Sequence, residues 1–136
     1  MLTLEQFKAA RATLQGVIRT TSLIHSPALS KACGNQVYLK PENMQVTGAY
    51  KIRGAYYKIS TLSEEEKARG LITASAGNHA QGLAYAAQAA GVPATIVMPT
   101  TTPLVKVNNT KDYGARVILH GEVFDEAAEK DRKSVV

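Results

Sequence analysis

The chain has 136 residues, 45% of them apolar and 20% charged, with 10 Gly, 5 Pro, one Cys and no Trp. That length suits one domain burying roughly two thirds of its unfolded surface, and the composition excludes collagen-like, low-complexity and disordered classes. The net charge of +5 comes from 16 Lys and Arg spread from Lys8 to Lys133 without a run, and the 6% of aromatics do not interleave with them. That pattern predicts a basic solvated surface rather than a nucleic-acid platform; it can also attract anionic metabolites or a phosphorylated cofactor. Apolar runs end well short of the ~18 residues of a membrane span. The opening MLTLEQFKAARATLQG has no continuous apolar stretch, so no signal peptide is expected. The lone Cys33 excludes an internal disulfide and a thiolate-pair metal site, which makes a reducing, cytoplasmic setting the expected one.

Along the chain, Leu4, Phe7, Ala10, Ala12 and Leu14 predict a helix closed by Gly16, and a polar connector with turn chemistry at Pro27 and Gly34-Asn35 follows. Gln36–Lys40 reads as a strand halted by Pro41, and a Tyr- and Ala-rich helix is predicted from about Tyr50 to Ser60. Ser63 before three glutamates is an N-cap with acids in the first turn, and Gly70 ends that helix. The strand Leu71–Ala74 precedes a helix from about Asn78 to Ala90, which Gly91 caps and Pro93 terminates. The strand Ala94–Met98, a helix from Pro103 to near Gly114, the strand Arg116–His120 and a helix from Val123 complete the pattern, the last carrying Phe124, Ala127 and Ala128 on one side. Alternating strands and helices predict an α/β fold of three layers, with a four-stranded, mostly parallel sheet covered by helices on both faces. The last predicted helix reaches Val136 with no cap and no following strand, as in a chain that stops in the middle of a unit.

In such sheets ligands bind beyond the carboxyl ends of the strands. Two segments stand there: LKPENMQVTGAYKIRGA, from Leu39 to Ala55, and TASAGNHAQG, from Thr73 to Gly82. In the second, a strand ends at Ser75, the backbone turns through Ala76 and Gly77, and a helix begins at Asn78. Unpaired N–H groups at a positive dipole end make an anion site there, and Ser75 and Asn78 add side-chain donors. The same residues would also serve as a plain turn and helix cap, and spacing does not separate the two readings. His79 in that first turn is either a base or a surface residue, while His25 and His120 have no visible partner and support no catalytic triad or metal cluster. In the first segment Lys51 stands among Tyr50, Ile52 and Arg53. Apolar neighbours and a second cation would disfavour its ammonium form, as a Schiff-base lysine requires, although a solvated lysine fits the same spacing. No GxGxxG or P-loop pattern occurs.

Taken together and in order, KPENMQVTGAYKIRGA and TASAGNHAQG resemble the fold-type II pyridoxal-phosphate enzymes, within them the threonine dehydratase (threonine ammonia-lyase) and serine dehydratase group, with serine racemase close by. The resemblance runs from about Ser22 to about Glu129 and includes the later stretch YGARVILHG. It implies pyridoxal 5'-phosphate as cofactor and Lys51 as the lysine that forms the Schiff base with it. It also implies Tyr50 beside the cofactor ring, where the family usually has Phe, and Asn78 on the phenolic oxygen. The loop of Ser75, Ala76, Gly77, Asn78 and His79 would hold the substrate carboxylate. The implied reaction turns threonine or serine into a 2-oxo acid and ammonia, in threonine catabolism or isoleucine biosynthesis, with a small amino acid as substrate, no nucleic acid or membrane partner, and a homo-oligomer in the full-length protein. The alternatives are a serine racemase-like enzyme and a non-catalytic binding or assembly fragment; the Ala-Gly-Asn-His-Ala wording favours the dehydratases over the racemase. One departure stands out: the family holds the cofactor phosphate in a glycine-rich loop, whereas the ten glycines here stand singly. The resemblance therefore implies an N-terminal fragment, inactive alone, with residues 1–35 belonging to the family's larger domain and 36–136 forming its small, cofactor-facing α/β domain.

Overall fold

The computed structural model describes residues 2–134. Helix α1 (Leu4–Thr13), strand β1 (Ile24–His25), helix α2 (Pro27–Cys33) and strand β2 (Tyr38–Leu39) lead through a 3-10 turn (Glu42–Met44) to helices α3 (Lys51–Ser60) and α4 (Glu64–Ala68). Strands and helices then alternate: β3 (Leu71–Ala74), α5 (Asn78–Ala90), β4 (Ala94–Met98), α6 (Leu104–Asp112), β5 (Arg116–Leu119) and α7 (Phe124–Lys133). The expected end of the last helix at Val136 lies outside the described residues.

The capping signals act as their chemistry predicts. The Ser63 hydroxyl accepts from the Glu66 amide while the Glu66 carboxylate accepts from the Ser63 amide at 2.8 Å, a reciprocal box that starts α4. Gly91 ends α5 at φ 68°, in the left-handed region. Helix α2, not expected in the connector, has the same grammar: Ser26 at the N-cap, Pro27 in the first turn and Gly34 as a left-handed cap.

The α/β class is borne out, but the strand count is not. The sheet has three parallel strands in the order β3-β4-β5, in register from Leu71 opposite Ala94 and Thr95 opposite Arg116. Of the segment Gln36–Lys40 only Tyr38 and Leu39 form a strand, and they pair antiparallel with Ile24 and His25. Strands of a covered parallel sheet are buried on both faces, whereas Tyr38 and Leu39 are exposed. The segment lacks the continuous apolar run that would let it join.

Strand β4 shows why there are three layers. Its residues alternate between faces: Ala94, Ile96 and Met98 join one core with Leu83, Ala84, Ala86 and Ala87 of α5 and Val107 of α6. Val97 on the opposite face is also fully buried, because α7 packs there on β3 and β4 with its Ala127 inaccessible to solvent. Phe124, expected beside Ala127, is exposed instead. Helix α5 is buried on several sides, since α3, α6 and the sheet all pack against it. Helix α1 buries none of its residues; Leu14 just beyond it is the anchor.

The connector is tied to α3 by polar links. The Arg53 guanidinium donates to both carboxylate oxygens of Glu42, at 2.8 Å each, and the Thr21 hydroxyl donates to the same carboxylate at 2.6 Å. Those bonds from Arg53, opposed by desolvation and helped by Thr21, hold the Glu42 carboxyl at about 2, below its ordinary 4.5. The pair is therefore present in full above pH 4.5 and is lost as pH falls toward 2, and it contributes on the order of 2 kcal/mol after solvent screening. In urea titrations the stability gap between the parent and Glu42→Gln should be constant above pH 4.5 and close toward pH 2. A gap that persists undiminished at pH 2 would refute this assignment.

Candidate active site

The loop after β3 is built around one hydroxyl. The Ser75 amide continues the ladder to the Val97 carbonyl at 3.0 Å, and its buried Oγ accepts from the amides of Gly77 (3.3 Å) and Ala80 (3.1 Å). Ser75 therefore caps α5 from within the loop, and both amides converge on its oxygen from the protein itself. Asn78, which might have been the cap, is not: its side chain is exposed and makes no hydrogen bond among the described residues. The backbone N–H groups of Asn78 and His79 also find no partner among the described residues. They stand at the positive end of a 13-residue helix, an arrangement that attracts an anion.

Gly77 was expected to permit an unusual backbone angle or a close approach. Its φ of −136° is open to any residue, and a Cβ built on it would meet no protein atom within 4 Å. The space beside it is free for a ligand rather than filled by the chain. The glycine that packing does require is Gly82, one turn further along α5. A Cβ there would lie 3.0 Å from the Ile52 amide nitrogen and 3.1 Å from the carbonyl carbon and Cβ of Lys51. Backbone thus meets backbone, and the first turn of α3 is drawn against the start of α5. The spacing of the motif contains Gly82 but gives no sign of this contact, which joins residues 31 positions apart.

Helix α3 buries Ile52, Ala55 and Ile59, a stripe that fixes its rotation and leaves Lys51 exposed at its first position. The Lys51 ammonium stands 5.4 Å from the centre of the Tyr50 ring, a cation–π distance. Tyr50 is 59% exposed, so its ring is free to meet another planar group. Arg53 does not act as the second cation beside Lys51 that the sequence suggested, because its guanidinium is held by Glu42. Gly48, at φ 70°, makes the turn that delivers the chain into α3.

His79 completes the cluster. It is half-buried, and burial first, then the positive charge of Lys51, lowers its pKa below the ordinary imidazole value of 6.5. The structure thus brings Tyr50, Lys51, Ser75, Ala76, Gly77, Asn78 and His79 to one corner, where α3 meets the β3–α5 loop. His25 lies elsewhere, and it does have a partner: its Nε2 is 3.1 Å from Ser30 Oγ. That hydroxyl accepts from the Val37 amide, and no carboxylate joins the two among the described residues.

Comparison with known proteins gives the cluster a context. The family model for pyridoxal-phosphate dependent enzymes matches residues 14–135. The L-threonine ammonia-lyase of Thermotoga maritima is 57% identical over 129 residues, which is 95% of this chain and 32% of that protein. The catabolic L-threonine dehydratase of Staphylococcus aureus is 54% identical over 128 residues, 93% of this chain and 37% of that one. The chain therefore spans about a third of the length of these curated relatives. Among solved structures, serine racemase from Dictyostelium discoideum superposes with a TM-score of 0.88 at 35% identity, covering 98% of this chain and 43% of that one. Threonine deaminase isoform 2 from Solanum lycopersicum gives 0.82 at 38%, covering 98% and 40%.

Two outcomes test this geometry. Gly82→Ala should destabilise the chain by about 1–2 kcal/mol in urea unfolding, because the backbone clash outweighs the helix propensity gained; an unchanged or higher midpoint would contradict the close approach. An NMR titration should place the His79 midpoint below 6.5, and Lys51→Met should raise it by removing the neighbouring charge. Equal midpoints in the two proteins would separate His79 from Lys51.

Proposed function

The chain belongs to the pyridoxal-phosphate dependent enzyme family, and we propose that it supplies the lysine-bearing half of a threonine or serine ammonia-lyase site. The observation that carries this reading is the convergence, imposed at Gly82, of the Lys51 amine with the unpaired amides of the β3–α5 loop. The residues present fit the cofactor. They offer an exposed amine for its aldehyde, an exposed aromatic ring beside that amine, and open space where a Cβ on Gly77 would project. Bound through that aldehyde, pyridoxal phosphate delocalises the charge that develops on the α-carbon of an amino acid.

The chain's own residues have distinct tasks in this reading. Lys51 Nζ would hold the cofactor through its aldehyde and would serve as the base for the substrate's α-proton. The Asn78 side chain would donate to the cofactor's phenolic oxygen, and Tyr50 would stand beside its ring. Within the Ser75–His79 loop the unpaired amides of Asn78 and His79 would take the substrate carboxylate, with Ser75 holding the loop in shape. A neutral His79 adds no second positive charge beside Lys51. Threonine leads as substrate because the relatives at 57% and 54% identity are named for it. The racemase reading rests on the 0.88 superposition with a serine racemase, and chiral analysis of serine after incubation separates it from ammonia release. The exposed Cys33 thiol agrees with a cytoplasmic setting.

We further propose that the chain alone is a weak cofactor binder and not a competent lyase. Lys51, Tyr50 and Asn78 are all exposed, so no described residue excludes water from them. Its glycines stand singly and make no backbone nest for a phosphate dianion. Incubation of the 136-residue chain with pyridoxal phosphate, borohydride reduction and peptide mapping should find sparse labelling over several lysines and no ammonia from threonine. Turnover with labelling confined to Lys51 would overturn the second proposal. The first is tested on a chimera in which this chain replaces the matching third of the Thermotoga maritima relative. Lys51→Ala should abolish both its visible absorbance and 2-oxo acid formation, and retained activity would exclude the assignment.

A further inference from the structure

We propose that Glu42 and Arg53 are positioning residues for Lys51, together holding the first turn of α3 against α5. The inference rests on the reading of Lys51 given above, but its test needs no cofactor.

Three observations support it. First, α3 begins without local help, since Tyr50 occupies the N-cap with helical dihedrals and no side-chain cap bond. An uncapped helix end frays within its first turn, and Lys51 is the first residue of that turn. Second, the grip comes from tertiary contacts on opposite sides. Lys51 faces Gly82 of α5, and Arg53, two residues later, leaves the helix about 200° around the axis from it. There its guanidinium meets Glu42 in a two-bond fork, with the two side chains 32% and 16% exposed. Such charge-assisted, bidentate pairs fix geometry as well as adding energy.

Third, Glu42 is itself anchored. The Thr21 hydroxyl donates to it, the Lys40 ammonium donates to the Thr21 carbonyl, and Arg19 Nη1 donates to the Met44 carbonyl at 2.8 Å. Gln45 closes the set: its side-chain oxygen accepts from the Arg19 amide and its nitrogen donates to the Arg19 carbonyl. The 3-10 turn is thus pinned at both ends to residues 19–21, and it presents a fixed carboxylate to α3. Between that turn and α3 runs a short segment that turns at the left-handed Gly48, with Thr47 and Ala49 buried on either side of it.

The test compares amide hydrogen exchange with the His79 titration in the parent, Arg53→Ala, Arg53→Lys and the swapped pair Glu42→Arg/Arg53→Glu. In Arg53→Ala the amides of Arg53, Gly54 and Ala55 should exchange about tenfold faster relative to those of Leu83–Ala87 in α5. The His79 midpoint should move toward 6.5 as the Lys51 charge withdraws. Arg53→Lys, which keeps the charge and loses the fork, should fall between the two, and it carries the test if the alanine variant does not fold. The swapped pair should restore at least part of both readouts. Exchange that rises equally in α3 and α5, exchange that does not rise, or a His79 midpoint that stays fixed while α3 loosens would each overturn the proposal. A failure of Lys51 to carry the cofactor would leave these readouts untouched.

Discussion

The contact on which this structure depends is that between α3 and α5. It is made at backbone distance because α5 presents small residues: Ala80, Gly82, Ala84, Ala86 and Ala87 are buried, and Gly82 leaves no room for even a methyl group. Closely packed interiors transmit displacement rather than absorb it, so the position of α5 on the sheet fixes where Lys51 stands. The same helix, through its first residues, forms the loop that Lys51 faces. One helix therefore places both parts of the proposed site, and the role proposed for the lysine depends on the alanines and the glycine of α5.

The electrostatics follow from that placement. Lys51 and the start of α5 are both positive, one by charge and the other by dipole. Two positive ends held together without a carboxylate of their own suit anionic or electron-rich ligands. The Glu42 carboxylate, two positions before the end of the 3-10 turn, is held by Arg53 and Thr21 and not by Lys51. His79 avoids adding to the repulsion because burial and Lys51 both disfavour its proton. Charges are thus sorted: Glu42 pairs with Arg53 on the other side of α3, and the Lys51 amine, exposed, has no carboxylate partner among the described residues.

Much of this was legible in the sequence because it is local. Caps at Ser63 and Gly91, and the alternation of apolar strands with longer helices, act within a few residues and gave the elements from α3 onward. The two motifs contain Tyr50 and Lys51 at the start of α3 and Ser75 to His79 in the loop before α5. What the sequence hid is non-local. That Tyr38 and Leu39 pair with Ile24 and His25 is a contact that the segment Gln36–Lys40 does not show by itself. Gly82 and Gly77 look alike in a string, yet only one of them meets another backbone. Arg53 reads as a cation beside Lys51 until the fold carries it to Glu42, eleven residues back. Ser26, Pro27 and Gly34 are local signals for α2, but they lie in a polar stretch where Pro27 and Gly34-Asn35 read equally as turn chemistry.

Sheet topology explains why the site gathers at β3 rather than at β5. Right-handed crossovers between neighbouring parallel strands put successive helices on one face, and α5 and α6 pack together there. After β5 the chain changes face, and α7 returns across the back of β4 to β3. Helices α5 and α7 therefore pack on opposite faces of β3, an outer strand of the described sheet, and in open α/β sheets such divergence is where ligands bind, beyond a strand's carboxyl end. The loop from Ser75 to His79 follows that end, and α3, which belongs to neither crossover, packs on α5 with Lys51 in its first turn. The motif residues are chemically ordinary. The function proposed for them depends on where the winding places the loop after β3, and on a glycine that lets α3 come close beside it.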